Sequence, residues 1–256
     1  NTIGFANFNF LEGDYTAGVP AAFGTVVPYY SRATGNWNTP STWSNTSYSG
    51  SPSSTIPNAN VPVFIGDGNT FNHTVTVTTN GTVSGSLLVS AGSTLNVGTT
   101  TGNNFGALPY STAGGAGTIR ISSSAATAEF PAGDFGLFFQ ANGGTTEYFT
   151  TAGNFSVPSV TAAPTSMPIQ TYKNLIVSPT ASYQITMPNS DLEIFQNMTV
   201  NGSTGTSDVA LNDASQKYLT VFGNLLVNGG RFRFKNTNVQ TLNVYGDASV
   251  NNGATI

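Results

Sequence analysis

The 256-residue chain has no cysteine, one histidine and few charges: seven lysines and arginines against eleven aspartates and glutamates. Without cysteine there can be no disulfide, no thiolate zinc site and no cysteine nucleophile. With His73 as the single histidine, zinc sites of the usual composition are excluded too. The formal charge of −4 and pI of about 4.6 leave no basic footprint for phosphates, which argues against a nucleic-acid partner. No apolar run reaches the ~18 residues of a membrane span. Glu, Lys, Gln, Arg and Met are scarce, so long surface helices lack their usual builders. A helical bundle and an α/β enzyme with many amphipathic helices are disfavoured. Asn1 does not open a charged-then-apolar leader, so a mature, cytosolic or excised chain is expected.

What the chain does contain is Gly, Ser, Thr and Asn, with Val, Phe and Tyr among them, a composition that suits strands and turns. In the C-terminal third it repeats. LEIFQNMTVNG from Leu192, LTVFGNLLVNG from Leu219 and LNVYGDASVNN from Leu242 align, and a weaker copy, IQTYKNLIVSP, starts at Ile169. A period in the twenties marks a solenoid, and β-branched, aromatic segments punctuated by Gly and Asn point to one coil of a parallel β-helix. Coils sit ~4.8 Å apart, so like residues stack. Leu192, Leu219 and Leu242 should form an interior row with Ile169. Ile194, Val221 and Val244 form a second, with Thr171 as its odd member. Leu175, Met198, Leu225 and Ala248 form a third, and Val177, Val200, Val227 and Val250 a fourth. Two asparagine ladders are expected: Asn174, Asn197 and Asn224, continued by Asp247, and Asn201, Asn228 and Asn251. Tyr172, Phe195, Phe222 and Tyr245 make an aromatic column whose direction the sequence leaves open.

Upstream, SLLVSAGSTLNV from Ser86, HTVTVTTNGTV from His73 and GTIRISSS from Gly117 read as looser strands, as do LFFQ and TEYFT. Ser156–Pro168 reads as a loop. Residues 1–60 hold both tryptophans and read as an irregular cap or docking segment over the open end of the stack. Residues 61–256 read as the β-helix, and the stop in mid-repeat at GATI implies that it continues beyond the chain end. The fold class expected is all-β: a right-handed parallel β-helix of eight to ten coils, handed by the crossover rule.

The motif order YYSRATGNWNTPSTWS, FIGDGNTFNHTVTVT, LLVSAGSTLNVGTTTGNNFG, GAGTIRISS, FPAGDF, NGGTTEY and TYKNLIVS resembles the N-terminal β-helical regions of very large Bacteroidota surface proteins. That family is exported by the type IX secretion system and includes gliding-motility adhesins. The likeness runs from about Tyr29 to the end. It implies an extracellular, cell-surface role as the structural stalk or base of an adhesin. It also implies a cleaved N-terminal signal and a C-terminal sorting domain, both absent here, and it offers no catalytic motif. Two rival functions remain: a carbohydrate-binding or polysaccharide-degrading module, and an export passenger that engages the translocon. The partners that follow are secretion-machinery or outer-membrane proteins, or an extracellular glycan or surface.

No catalytic, cofactor or metal residue is assigned. His73 has no G-x-S-x-G turn to serve and reads as a surface or strand-end residue. Asp191 and Glu193 could share a strand face, but neighbouring coils offer no matching acid or arginine. Calcium at Asp67 or Asp208 lacks a D-x-D-x-D-G loop. Thr74, Thr76 and Thr78 form a T-x-T row of the ice-binding kind that does not recur in register. Trp37 and Trp43 read as packing anchors of the cap. Arg231, Arg233 and Lys235 alternate with Phe232 and Phe234, so the cations should share one face. They read either as a contact for an anionic glycan or partner or, the favoured alternative, as solvated surface.

Overall fold

The computed structural model describes residues 26–108, 111–150, 152–211, 217–234, 238–251 and 253–256. These residues form stacked parallel sheets and no α-helix. The longest sheet has nine strands and spans the stack from Gly35–Asn36 through Thr94–Gly98, Thr145–Phe149 and Met198–Asn201 to Ala248–Val250. A five-stranded sheet flanks it in the N-terminal half. Two four-stranded sheets, one holding Arg231–Arg233 and the other Leu192–Ile194, flank it in the C-terminal half. The protein is a parallel β-solenoid of about seven turns. That is fewer than the eight to ten coils expected by extending the C-terminal period over the chain. Layers are uneven upstream: the step from Val75 to Leu95 is shorter than the C-terminal period, and that from Thr146 to Leu175 is longer.

The interior columns follow the repeat. Leu192 pairs with Leu219 and Leu219 with Leu242; Ile194, Val221 and Val244 pair likewise. Leu175, Met198, Leu225 and Ala248 are in register, as are Val177, Val200, Val227 and Val250. Alternation places every second strand residue inside, and Leu219, Val221, Leu225 and Val227 are all buried. The Leu175 column continues upstream as Thr146, Ile119, Leu95 and Val75.

The weak fourth copy is out of step by one residue. Tyr172, not Thr171, pairs with Ile194, and Thr171 faces Glu193. The corner before Leu175 is one residue shorter than the corner before Met198, so an alignment anchored on the asparagines slips. Ile169 is buried but lies outside any strand. Tyr172 therefore turns inward, where its hydroxyl meets that of Tyr148 at 2.9 Å. Burial pushes both phenols above the ordinary tyrosine value, because a phenolate there would lose its water.

LFFQ is a turn and not a strand. It drops Phe138 and Phe139 into the core and leaves Leu137 exposed. There the two phenylalanines meet Phe130 and Phe135, with Phe130–Phe139 centroids 4.9 Å apart. This aromatic cluster fills the middle of the stack, where Phe130 and Ala132 are joined to their neighbours only by isolated bridges.

At the N-terminal end Tyr29–Ser31 pairs parallel with Pro62–Ile65 and antiparallel with Trp43–Ser44. Trp37 and Trp43 are buried, Trp43 Nε1 donates to the Trp37 carbonyl at 2.8 Å, and Trp37 lies against Phe105. Both tryptophans are thus packing anchors. The part of the expected cap before residue 26 lies outside the described residues.

Candidate functional surface

Outward side chains of successive layers line up along the stack axis. On the longest sheet one outward row runs Thr74, Thr94, Thr118, Thr145 and Asn174 by strand register. Hydrogen bonds then carry it on. The Asn197 N–H donates to Asn174 Oδ1 at 3.1 Å, Asn224 N–H to Asn197 Oδ1 at 3.0 Å, and Asp247 N–H to Asn224 Oδ1 at 2.9 Å. The first asparagine ladder therefore links side-chain carbonyl to main-chain amide. The second links amide to amide: Asn228 Nδ2 donates to Asn201 Oδ1 at 2.9 Å and Asn251 Nδ2 to Asn228 Oδ1 at 2.7 Å. Each such bond contributes about 1 kcal/mol.

The threonine column escaped the sequence because its steps are uneven. It does not make a T-x-T array, since the column of Thr76 continues as Asn96, Arg120 and Glu147. Glu147 binds Arg120 at 2.6 Å, and that guanidinium lies 4.4 Å from the centroid of the Phe149 ring. Opposite charges from adjacent layers here tie the layers together.

Phe195, Phe222 and Tyr245 point outward and stack nearly parallel, with centroids 6.1 and 5.4 Å apart and planes within 16°. Ring faces cover one another, so solvent meets ring edges and the outer face of Tyr245, which is 72% exposed.

Arg231 and Arg233 do share an outward face, but neither stands free. Asp208, one layer away and paired in register with Arg231, receives Arg231 Nε at 2.6 Å and Nη2 at 3.2 Å. It also receives Arg233, which donates in addition to Gln184 Oε1 at 3.2 Å. Asp208 is nearly buried beneath the two guanidiniums. Two cations over one anion leave a single positive charge, and the group clamps three layers. Phe232 is interior, whereas Phe234 is 41% exposed. Lys235 lies outside the described residues. The repeat held a signal for the clamp: Asp208 precedes Arg231 by 23 residues, one period.

His73 Nδ1 lies 2.9 Å from Ser31 Oγ, which accepts the Gly66 N–H at 2.9 Å. Ser31 is fully buried, so no substrate reaches that oxygen, and the contact ties the first two layers. Asp191 and Glu193 are exposed, and Asp191 accepts the Tyr218 N–H. Asp67 Oδ1 accepts the Asn69 and Phe71 N–H groups, which hold its carboxyl below the usual aspartate range. Among the described residues no three His, Asp or Glu side chains gather to hold a metal ion.

A shallow open groove of about 650 Å³ lies on the longest sheet, lined by Asn197, Thr199, Asn224, Leu226, Asp247 and Ser249 together with Ala248. Comparison with protein-family models, with curated proteins and with solved structures finds no match to this chain.

Proposed function

We propose that this chain is a non-catalytic stalk or base segment of a large secreted bacterial surface adhesin, which projects adhesive parts from the cell. The observation that carries the reading is the uninterrupted nine-stranded parallel sheet, its interior columns in register from layer to layer. Hydrogen bonds between parallel strands run along the stack axis, so pulling or bending the stack loads many bonds together. The side-chain ladders add bonds in the same direction. The surface suits prolonged exposure outside the cell: it carries few charges and rows of Thr and Asn. The order of motifs along the chain, which resembles type IX-exported adhesins, supports the extracellular setting.

The test is replacement in the parent surface protein. Residues 61–256 are exchanged for a Gly/Ser linker of equal residue count, and attached cells are counted under flow. Surface display, measured by antibody, is the control. The stalk reading expects display to persist and attachment to fall several-fold, because a flexible linker does not hold the adhesive parts away from the surface. Unchanged attachment refutes it. Loss of display assigns the segment to export instead.

A further inference from the structure

We propose that the groove over Asn197, Asn224 and Asp247 is a binding site for a neutral, extended, equatorially linked polysaccharide lying along the stack axis. This goes beyond the stalk reading and does not rest on it.

The inference starts from which polar atoms the ladder consumes. In Asn197 and Asn224 the side-chain carbonyl accepts the main-chain N–H of the next layer. Their Nδ2 groups make no hydrogen bond among the described residues, and neither do the hydroxyls of Thr199 and Ser249 or the carboxylate of Asp247. All of these atoms belong to residues that line the groove. The ladder fixes each amide, so its donors are pre-oriented and lose little entropy on binding. The groove thus offers donors and acceptors repeated at the layer spacing of ~4.8 Å. Thr199, Leu226 and Ser249 are in register beside them, and Leu226 gives that row an apolar centre.

The chemistry selects the ligand. A chain of pyranose rings carries hydroxyls at a comparable repeat and has apolar C–H faces for Leu226. Main-chain edges are not offered, because the sheet interior is paired, so an added peptide strand has nothing to join. No lysine or arginine lines the groove, whereas Asp247 does, so a uronate or sulfated chain would meet an uncompensated carboxylate. Three layers give a contact about two rings long, which means weak affinity per site.

The experiment titrates the purified 256-residue chain with cellohexaose and chitohexaose as neutral extended probes, and with oligoguluronate and dextran as anionic and flexible ones. Binding is read from amide chemical-shift changes. The expected result is saturable shifts at residues 197–199, 224–226 and 247–249 with at least one neutral extended probe, and weaker or no shifts with the other two. Asn197→Asp combined with Thr199→Val keeps the ladder acceptor and the β-branched shape but removes two of the four donors, those of the first groove layer. This variant should melt as the parent does and bind at least tenfold more weakly. Thr118→Val, on the same outward row three layers before Asn197, should bind normally. Should the double variant fail to fold, Leu226→Lys supplies the same test. Absence of binding by both neutral probes, tighter binding of oligoguluronate, or an affinity unchanged in the groove variants would each overturn the proposal.

Discussion

Shortening Leu219 to alanine removes the middle member of an interior column, with Leu192 on one side and Leu242 on the other. Leu219 is 3% exposed, so three buried carbons leave at ~0.8 kcal/mol each, or about 2.4 kcal/mol in transfer alone. Neighbouring layers are held by their own strand pairing and cannot collapse fully into the gap. The unfilled cavity raises the cost to about 3–4 kcal/mol, inside the usual range for leucine to alanine. Leu242 sits in the last layer and is only half-buried. The same change there should cost about half as much, because stability in a solenoid is a sum of nearest-neighbour terms. The assay is urea denaturation followed by far-ultraviolet circular dichroism, with native-state hydrogen exchange to locate the loss. Exchange should quicken in the strands around residues 192–244. Fluorescence of Trp37 and Trp43, at the other end of the stack, should keep its midpoint. Equal costs at Leu219 and Leu242, or a matching loss at the tryptophans, would refute nearest-neighbour stacking.

Replacing Asp208 with asparagine leaves two arginines side by side over a nearly buried site. Both guanidiniums are more than a third exposed, so solvent screens the loss to about 1–3 kcal/mol; a urea midpoint equal to the parent's would show that the clamp does not stabilise. Tyr148 and Tyr172 titrate above their ordinary value of 10.0 in the fold. Their contribution is fully present below pH 10 and is lost as pH rises toward the folded values, since the unfolded chain then releases protons that the native state retains. Melting temperature should therefore fall above pH 10, and less steeply in a Tyr148→Phe variant; parallel curves would contradict the buried pair. Asp67 should titrate below its ordinary 3.8, measured by carboxyl carbon shifts, so its turn is held at neutral pH and loosens as acid protonates it. A value at or above 3.8 would remove its main-chain bonds from the account.

Legibility in the sequence tracked regularity. From Leu192 onward every layer presents the same residue types at the same offsets, so the leucine, valine and asparagine columns could be read without coordinates. Where a corner lost one residue, at Tyr172, the same alignment misplaced a buried tyrosine. LFFQ looked like a strand because its residues favour strands, yet the aromatic core pulled two of its rings inward through a turn. The arginine face is readable from alternation, but its partner Asp208 lies one period upstream, outside any local window that holds the arginines. The threonine row and the groove exist only once unevenly spaced layers are brought together, and no window of the chain contains them. Handedness rested on a general rule for parallel crossovers and not on residues of this chain.

The absence of cysteine makes a direct test of the stacking possible. Thr199 and Leu226 are register partners on adjacent strands, and Ser249 lies one layer further along the same row. Introduced in pairs, cysteines at 199 and 226 lie ~4.8 Å apart and within disulfide reach, whereas those at 199 and 249 lie about 10 Å apart and beyond it. Under mild oxidation, read by thiol counting and mass spectrometry, the first pair should close within the folded monomer and the second should stay reduced. Closure of the 199–249 pair, or failure of the 199–226 pair in a folded chain, would contradict one backbone circuit per repeat.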